Sequence, residues 1–250
     1  MDTEFPHSLK VLFPGGLLPV KFNLGEHAHD LRYSLNVDPF SAKKPLLVLH
    51  HGSTENGQVL AMAKKPERYQ NTYKTEIQVT SLTNHTLRQG QLSTTFVTMV
   101  DQRRIAHQQH EFSVNMAWGC EKFEWRSTRG NEVQNMFRHP KGFKLVRLGS
   151  EGPGEGRGGK RGVRQVGESS DGKEIVAVWA TEKSFIPSNM VLGGKPFKFE
   201  LCGSGKSGQM GEHFSYIALM TALYIWSMDI WNFEVYGITH TGFTGSVARG

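Results

Sequence analysis

The chain has 250 residues, 38% of them hydrophobic, 10% aromatic and 21% charged, a globular composition that excludes fibrous and disordered classes. A chain of this length buries roughly three-quarters of its unfolded surface, so its core needs no metal or disulfide staple, and its two cysteines, Cys120 and Cys202, are too few for a disulfide framework. The net charge is +6, and residues 121–164 hold 11 Lys/Arg against 5 Asp/Glu, so the whole excess lies in that window. A basic concentration of this kind suits a phosphate-bearing partner, a lipid headgroup or a nucleic acid. The first 30 residues contain no basic start followed by an apolar run. The expected setting is therefore a reducing intracellular one, cytoplasmic, with peripheral-membrane or nuclear placement as alternatives.

In chain order, strands are predicted at 9–13, 17–22, 31–37, 46–49, 59–63, around Ile77 and Val79, at 94–100, 112–116, around Phe123 and Trp125, at 143–148, 175–179, 197–201 and 233–238. Residues 31–37 alternate without a break, as one buried face requires. Residues 46–49 and 175–179 are apolar on both faces, as strands covered on both sides would be. Gly15-Gly16, Gly52, Pro66, Asn84, Gly130, Pro140, Gly142 and Gly193-Gly194 punctuate them. Residues 107–110 read as an exposed hairpin connection, and His27 and His29 fall in a polar turn. The stretch 149–172 is crowded with glycine and lacks large apolar residues, so it is read as a flexible insertion between two strands. The expected domain layout is a partly stranded N-terminal extension over 1–30, one barrel domain over 31–240 and a flexible tail over 241–250.

One segment is plainly helical. Residues 214–228 contain only three polar side chains, Ser215, Thr221 and Ser227. At about 100° per residue, their spacing of six scatters them to roughly 0°, 240° and 120° around the axis, which leaves no polar face. A helix that is apolar all round must be surrounded, by lipid or by protein. The uninterrupted stretch falls short of the ~20 residues of a bilayer span and ends at Asp229. The preceding strands also need a common core. A mainly β fold follows: a closed antiparallel barrel of about twelve strands around a central hydrophobic C-terminal helix, with no transmembrane span.

Phe123-Glu-Trp125-Arg126, residues 141–148 and residues 172–180 resemble successive strands of the tubby C-terminal-like superfamily, which includes the tubby, LURP-one-related and phospholipid scramblase groups. Gly203-Ser-Gly205, Gly211-Glu-His-Phe214 and residues 218–226 are similar to the approach to that superfamily's final helix, in the style of its uncharacterised fungal members. The resemblance spans about residues 31 to 240. It implies a twelve-stranded barrel around a hydrophobic helix, members that are mostly not enzymes, and functions at phosphoinositides or phospholipid membranes.

Enzymatic motifs are incomplete. The Gly203–Gly208 loop has Glu200 where a phosphate-cradling loop needs its first glycine, so it reads as a tight turn into the barrel. His50-His51-Gly52-Ser53 lacks a Gly-x-Ser-x-Gly partner anywhere in the chain. His27-x-His29 and His107-x-x-His110 have no further metal ligands at motif spacing, and Cys120 and Cys202 read as packed thiols. No catalytic residue, cofactor or metal is expected. Arg126, Arg129, Lys141 and Lys144, on or beside two neighbouring strands, are the candidate contacts for an anionic phospholipid headgroup. Arg157, Lys160, Arg161 and Arg164 in the Gly-rich loop are the candidate contacts of the alternative, a nucleic-acid or transcription-linked adaptor. The strand alternation places Phe143, Leu145 and Arg147 on one face, with Arg147 close enough to a strand end to reach the rim. The sequence leaves the oligomeric state open.

Overall fold

Short alternating segments can only hide their apolar faces by pairing side by side around a shared interior, and here they do so in one sheet. The computed structural model describes residues 5–12, 20–41, 43–69, 72–81, 93–104, 107–138, 140–149, 167–182 and 196–230. They form thirteen strands: β1 (Ser8–Leu12), β2 (Lys21–Gly25), β3 (Leu31–Val37), β4 (Leu47–His51), β5 (Val59–Ala63), β6 (Glu67–Tyr69), β7 (Thr72–Ser81), β8 (Ser93–Arg104), β9 (His107–Met116), β10 (Gly119–Thr128), β11 (Pro140–Arg147), β12 (Ile175–Glu182) and β13 (Lys198–Leu201). Short helices α1 (Asn131–Gln134) and α2 (Gly203–Lys206) precede β11 and follow β13, and α3 (Gly211–Ile230) is the one long helix.

All pairings are antiparallel, in the order β5-β4-β3-β2-β1-β13-β12-β11-β10-β9-β8-β7, and β5 returns to β7 through Ala61↔Val79, Met62↔Gln78 and Ala63↔Ile77. The sheet is therefore a closed barrel of twelve strands, as the apolar helix required. The short β6 pairs with the first residues of β7, next to that seam. Residues 1–30 were expected to be a partly stranded extension; β1 is bonded to β13 and β2 to β3, so both of its strands belong to the closed sheet. Strand β2 begins at Lys21 and runs to Gly25, later than the predicted 17–22, and carries Phe22 and Leu24 inward. The predicted strand at 233–238, residues 150–166 of the insertion and the tail at 241–250 lie outside the described residues.

The helix α3 fills the barrel. Residues 214–227 are all buried, on every side of the helix. Phe214 packs on Phe123 with ring centroids 4.9 Å apart, Tyr216 meets Tyr33 at 5.9 Å and Phe5 at 5.2 Å, and Trp226 stands between Phe22 and Phe197, 5.3 Å from each. The contacts come from strands all round the cylinder. Two of its polar residues bond the helix's own backbone: Thr221 Oγ1 donates to the Ala218 carbonyl at 2.9 Å and Ser227 Oγ to the Tyr224 carbonyl at 2.8 Å. Thr221 Oγ1 also accepts the indole N–H of Trp125 at 2.9 Å, the polar tie between helix and wall. Among the described residues no helix is long and apolar enough to cross a membrane. The chain swings from β13 into the barrel at Gly208 and Gly211, both with φ +75°, a left-handed backbone that side chains other than glycine's rarely adopt.

Among the described residues β12 has a second apolar cover: its outer residues Ile175, Val178 and Ala180 pack against Val133 and Met136, with Phe137 and Cys202 at the edge. That cover explains why this strand is apolar on both faces. Residues 107–110 are not an exposed connection. They open β9, and His110 faces inward, buried, with its Nδ1 hydrogen-bonded to the Asp101 carboxylate. The apolar alternation stops there because two inward positions are filled by a polar pair instead.

Replacing Thr221 with Val keeps the volume but leaves the Trp125 N–H buried without an acceptor. The expected cost is about 1–3 kcal/mol, read as a melting temperature lower by roughly 2–4 °C per kcal/mol for a domain of this size. An unchanged thermal transition would show that the tie contributes nothing.

Candidate functional site

The wall strands set where each charged side chain can point. In β10, Phe123 and Trp125 face inward, so Glu124 and Arg126 alternate onto the outer side. There Arg126 Nε lies 2.7 Å from Glu124 Oε2, and its Nη1 lies 2.9 and 2.8 Å from the two carboxylate oxygens of Asp171. Lys144 Nζ is 3.2 Å from Glu132 Oε1, with only 11% of its side chain exposed. Lys141 Nζ is 3.6 Å from Asp229 Oδ1. Of the four residues predicted to meet an anionic headgroup, only Arg129 is exposed with no carboxylate partner among the described residues. The four do not form one open patch: three are held by the protein's own carboxylates. Arg157, Lys160, Arg161 and Arg164 lie outside the described residues.

Charge separates along the barrel axis instead. At the end where α3 begins, the described connections 5–7, 26–30, 52–58, 117–118, 148–149, 167–174 and 202–210 hold six acidic residues (Glu26, Asp30, Glu55, Glu168, Asp171 and Glu174) against Lys173 and Lys206. At the end where α3 finishes, the described connections 38–41, 43–46, 64–69 and 129–138 hold seven basic residues (Lys43, Lys44, Lys64, Lys65, Arg68, Arg129 and Arg138) against Asp38, Glu67 and Glu132. Among the described connections one rim is acidic and the other basic.

The basic rim also carries exposed aromatic side chains. Phe40, in the β3–β4 connection, is 73% exposed, and Tyr69, in the neighbouring β6, is 57% exposed. The Lys74 ammonium stands 4.2 Å from the Tyr69 ring centroid. Lys65 joins the two connections by donating to the backbone carbonyls of Pro39, at 3.2 Å, and Ser41. Sequence reasoning missed this group. Its lysines are diluted along the chain by Asp38, Glu55, Glu67 and Glu76, and the barrel brings 38–46 and 64–74 together only in space. The readable signals were the Lys43-Lys44 and Lys64-Lys65 pairs and the turn Asp38-Pro39-Phe40-Ser41.

The acidic rim holds a cleft of about 450 Å³ lined by Trp118, Arg147, Ser204, Gln209 and Met210. Arg147 reaches the rim, as its strand position allowed, but is committed there: its Nη2 is 2.6 Å and its Nε 3.2 Å from the two oxygens of Glu121, and its Nη1 is 3.7 Å from Glu174 Oε2. Trp118 Nε1 donates to Glu121 at 2.8 Å. The Ser204 N–H, in the loop that superficially matches a phosphate cradle, donates instead to the Glu174 carboxylate at 2.7 Å. His27 and His29 stack 5.4 Å apart in the 26–30 turn. Among the described residues no three His, Cys, Asp or Glu side chains are grouped as a metal would need. Comparison with protein-family models, with curated proteins and with solved structures finds no match for this chain.

The ion pairs have a pH signature. Arg147 holds the Glu121 carboxyl below the usual carboxylate range, against the opposing effect of burial. Burial works to raise Glu132 and Asp171, yet hydrogen bonds from Thr128 and from Ser169, with the Lys144 and Arg126 cations, hold both below their ordinary values. Groups depressed in the folded state stabilise it above the unfolded carboxyl pKa, ~4, and that stability is lost as pH falls. Stability should therefore decline on acidification through that range, and Glu121→Gln should flatten the decline; identical pH profiles for the two proteins would contradict this.

Cysteine burial gives a second readout. Cys120 is exposed rather than packed, because it alternates outward on β10, whereas burial pushes the Cys202 thiol up to about 11. At neutral pH a thiol reagent should label Cys120 at the rate of a free thiol and Cys202 only on unfolding. Above the unfolded thiol pKa, ~8.5, the unfolded chain ionises first, so the contribution of Cys202 to stability fades with rising pH. Equal labelling rates would refute the assignment.

Proposed function

We propose that this protein is a non-catalytic binding module that docks the basic end of its barrel on an anionic phospholipid surface, with phosphoinositide headgroups as one class of ligand. The observation that carries the reading is the charge separation along the barrel axis, which leaves a surplus of lysine and arginine on one rim. A one-signed rim attracts an oppositely charged plane over a distance of about a Debye length, and each lysine or arginine near such a surface contributes about 1 kcal/mol. At contact, ammonium and guanidinium groups donate charge-assisted hydrogen bonds to phosphate oxygens. The acidic rim at the other end is repelled by the same surface, which fixes the orientation. Support of a second kind comes from the interior: helix α3 occupies the barrel, so ligands are met at the ends and the outer wall. The resemblance to the tubby and scramblase groups points to the same partner class.

The reading predicts co-sedimentation with vesicles of phosphatidylcholine containing phosphatidylserine or a phosphoinositide, little with phosphatidylcholine alone, and release as ionic strength rises. Equal, negligible sedimentation with all of them at low salt would remove it. Capture of a nucleic-acid duplex in place of vesicles would transfer the role to the adaptor alternative, with Arg157, Lys160, Arg161 and Arg164 as its contacts.

A further inference from the structure

The connection between β3 and β4 is tied down tightly for an exposed turn. Asp38 Oδ1 accepts the backbone N–H of Phe40 at 3.2 Å and of Ser41 at 2.9 Å. Ser41 Oγ accepts those of Lys43 and Lys44, both at 3.3 Å. From the neighbouring connection the Lys65 ammonium bonds the carbonyls of Pro39 and Ser41. An aspartate side chain that gathers the next backbone amides is ordinary turn chemistry, and it sets no requirement on the side chain at the tip. Yet the side chain this scaffold holds out is Phe40, the most exposed large hydrophobic residue described, in a chain whose other phenylalanines on the described strands are mostly buried.

What surrounds Phe40 indicates its use. Lys43 and Lys44 follow it in the same turn and are exposed, Lys44 with 74% of its side chain free of cover and its Nζ 4.0 Å from the Asp38 carboxylate. Tyr69 and Lys74 stand in the adjoining connections, on the same rim. An apolar ring at the tip with ammonium groups at its base is the arrangement that suits a bilayer interface. The ring leaves water for the boundary between headgroups and acyl chains, tyrosine sits at headgroup level, and lysine stems let the ammonium groups rise to the phosphates. A protein partner would need a larger apolar area, whereas here one aromatic tip stands on a rim whose described connections carry a surplus of lysine and arginine. Phe96, 60% exposed on the outer wall of β8, stands away from the basic rim, and Trp118, 53% exposed on the acidic rim, has the Arg147 guanidinium 5.7 Å from its ring centroid, where that cation is already paired with Glu121.

We infer that the 38–46 turn is the membrane-inserting element of this protein: Phe40 enters the headgroup–acyl boundary of an anionic bilayer while Lys43 and Lys44 bind its phosphates. This rests on the reading of the basic rim as the lipid-facing surface and names the residues and the mode of contact. The preformed turn matters because no ordering cost is left for the moment of docking.

The test uses the full chain and vesicles of phosphatidylcholine with and without phosphatidylserine. Phe40→Ala should weaken partitioning onto anionic vesicles by about tenfold or more, the scale of burying one aromatic side chain. Lys43→Gln and Lys44→Gln should each weaken it by roughly fivefold and reduce its salt dependence. Phe96→Ala should leave it unchanged, and Phe40, Lys43, Lys44 and Phe96 are exposed enough for the thermal transition to stay in place. Wild-type partitioning that survives Phe40→Ala and both lysine changes overturns this inference and leaves the lipid reading standing, with docking elsewhere. Absence of wild-type binding overturns both. Loss in the lysine variants with no effect of Phe40→Ala overturns insertion and leaves surface attraction alone.

Discussion

A helix with no polar stripe has to be covered on every side, and this requirement organises the molecule. Ser215, Thr221 and Ser227 point in three directions, so no rotation of α3 could present them together to water. Twelve strands closed on themselves give complete cover, and the large side chains that meet the helix, among them Phe22, Phe123, Trp125 and Phe197, come from well-separated strands. A barrel filled in this way has no room for a ligand along its axis, unlike larger barrels that enclose cavities. That leaves the rims and the outer wall as the surfaces open to a partner, where the chemistry is ionic.

The same helix has an electrical consequence. Its aligned peptide dipoles place partial positive charge at Gly211 and partial negative charge near Ile230. Acidic connections cluster around the first end and basic ones around the second, so the side-chain charge complements the dipole at both. The outer wall follows another rule: Arg126 with Glu124 and Asp171, Lys144 with Glu132, and Lys198 with Glu200 are paired within one strand or with a neighbouring connection or helix. Such pairs remove cations from the pool available to a partner, as Lys64 with Glu76 and Lys44 with Asp38 do on the basic rim. The surplus that remains lies on the basic rim.

Architecture was legible because it depends on period. Residues 31–37 alternate and form β3; residues 175–179 are apolar on both faces and lie between the helix and the α1 cover; residues 214–228 have no polar face and are enclosed. What could not be read depends on proximity between segments far apart in the chain. His110 sits beyond the last apolar inward residue of its strand, so its partner Asp101 was needed to see it as an interior position. The basic window at 121–164 looked like one patch, yet its members divide between the outer wall, the two rims and residues outside the described set. Conversely, Phe40, Lys65 and Tyr69 are unremarkable along the chain and adjacent only after β3, β4, β5 and β7 have paired.

Chain order adds a kinetic corollary to the enclosed helix. Every described strand precedes α3, so during synthesis those strands leave the ribosome before the segment that fills them. A cylinder without its plug exposes apolar side chains from both the strands and the waiting interior, and β1 must also find β13, which emerges much later. In such a chain the late, long-range closure of the wall around α3 is the slow step. Truncation anywhere upstream of Ile230 would accordingly yield a hollow, aggregation-prone shell and not a smaller folded protein.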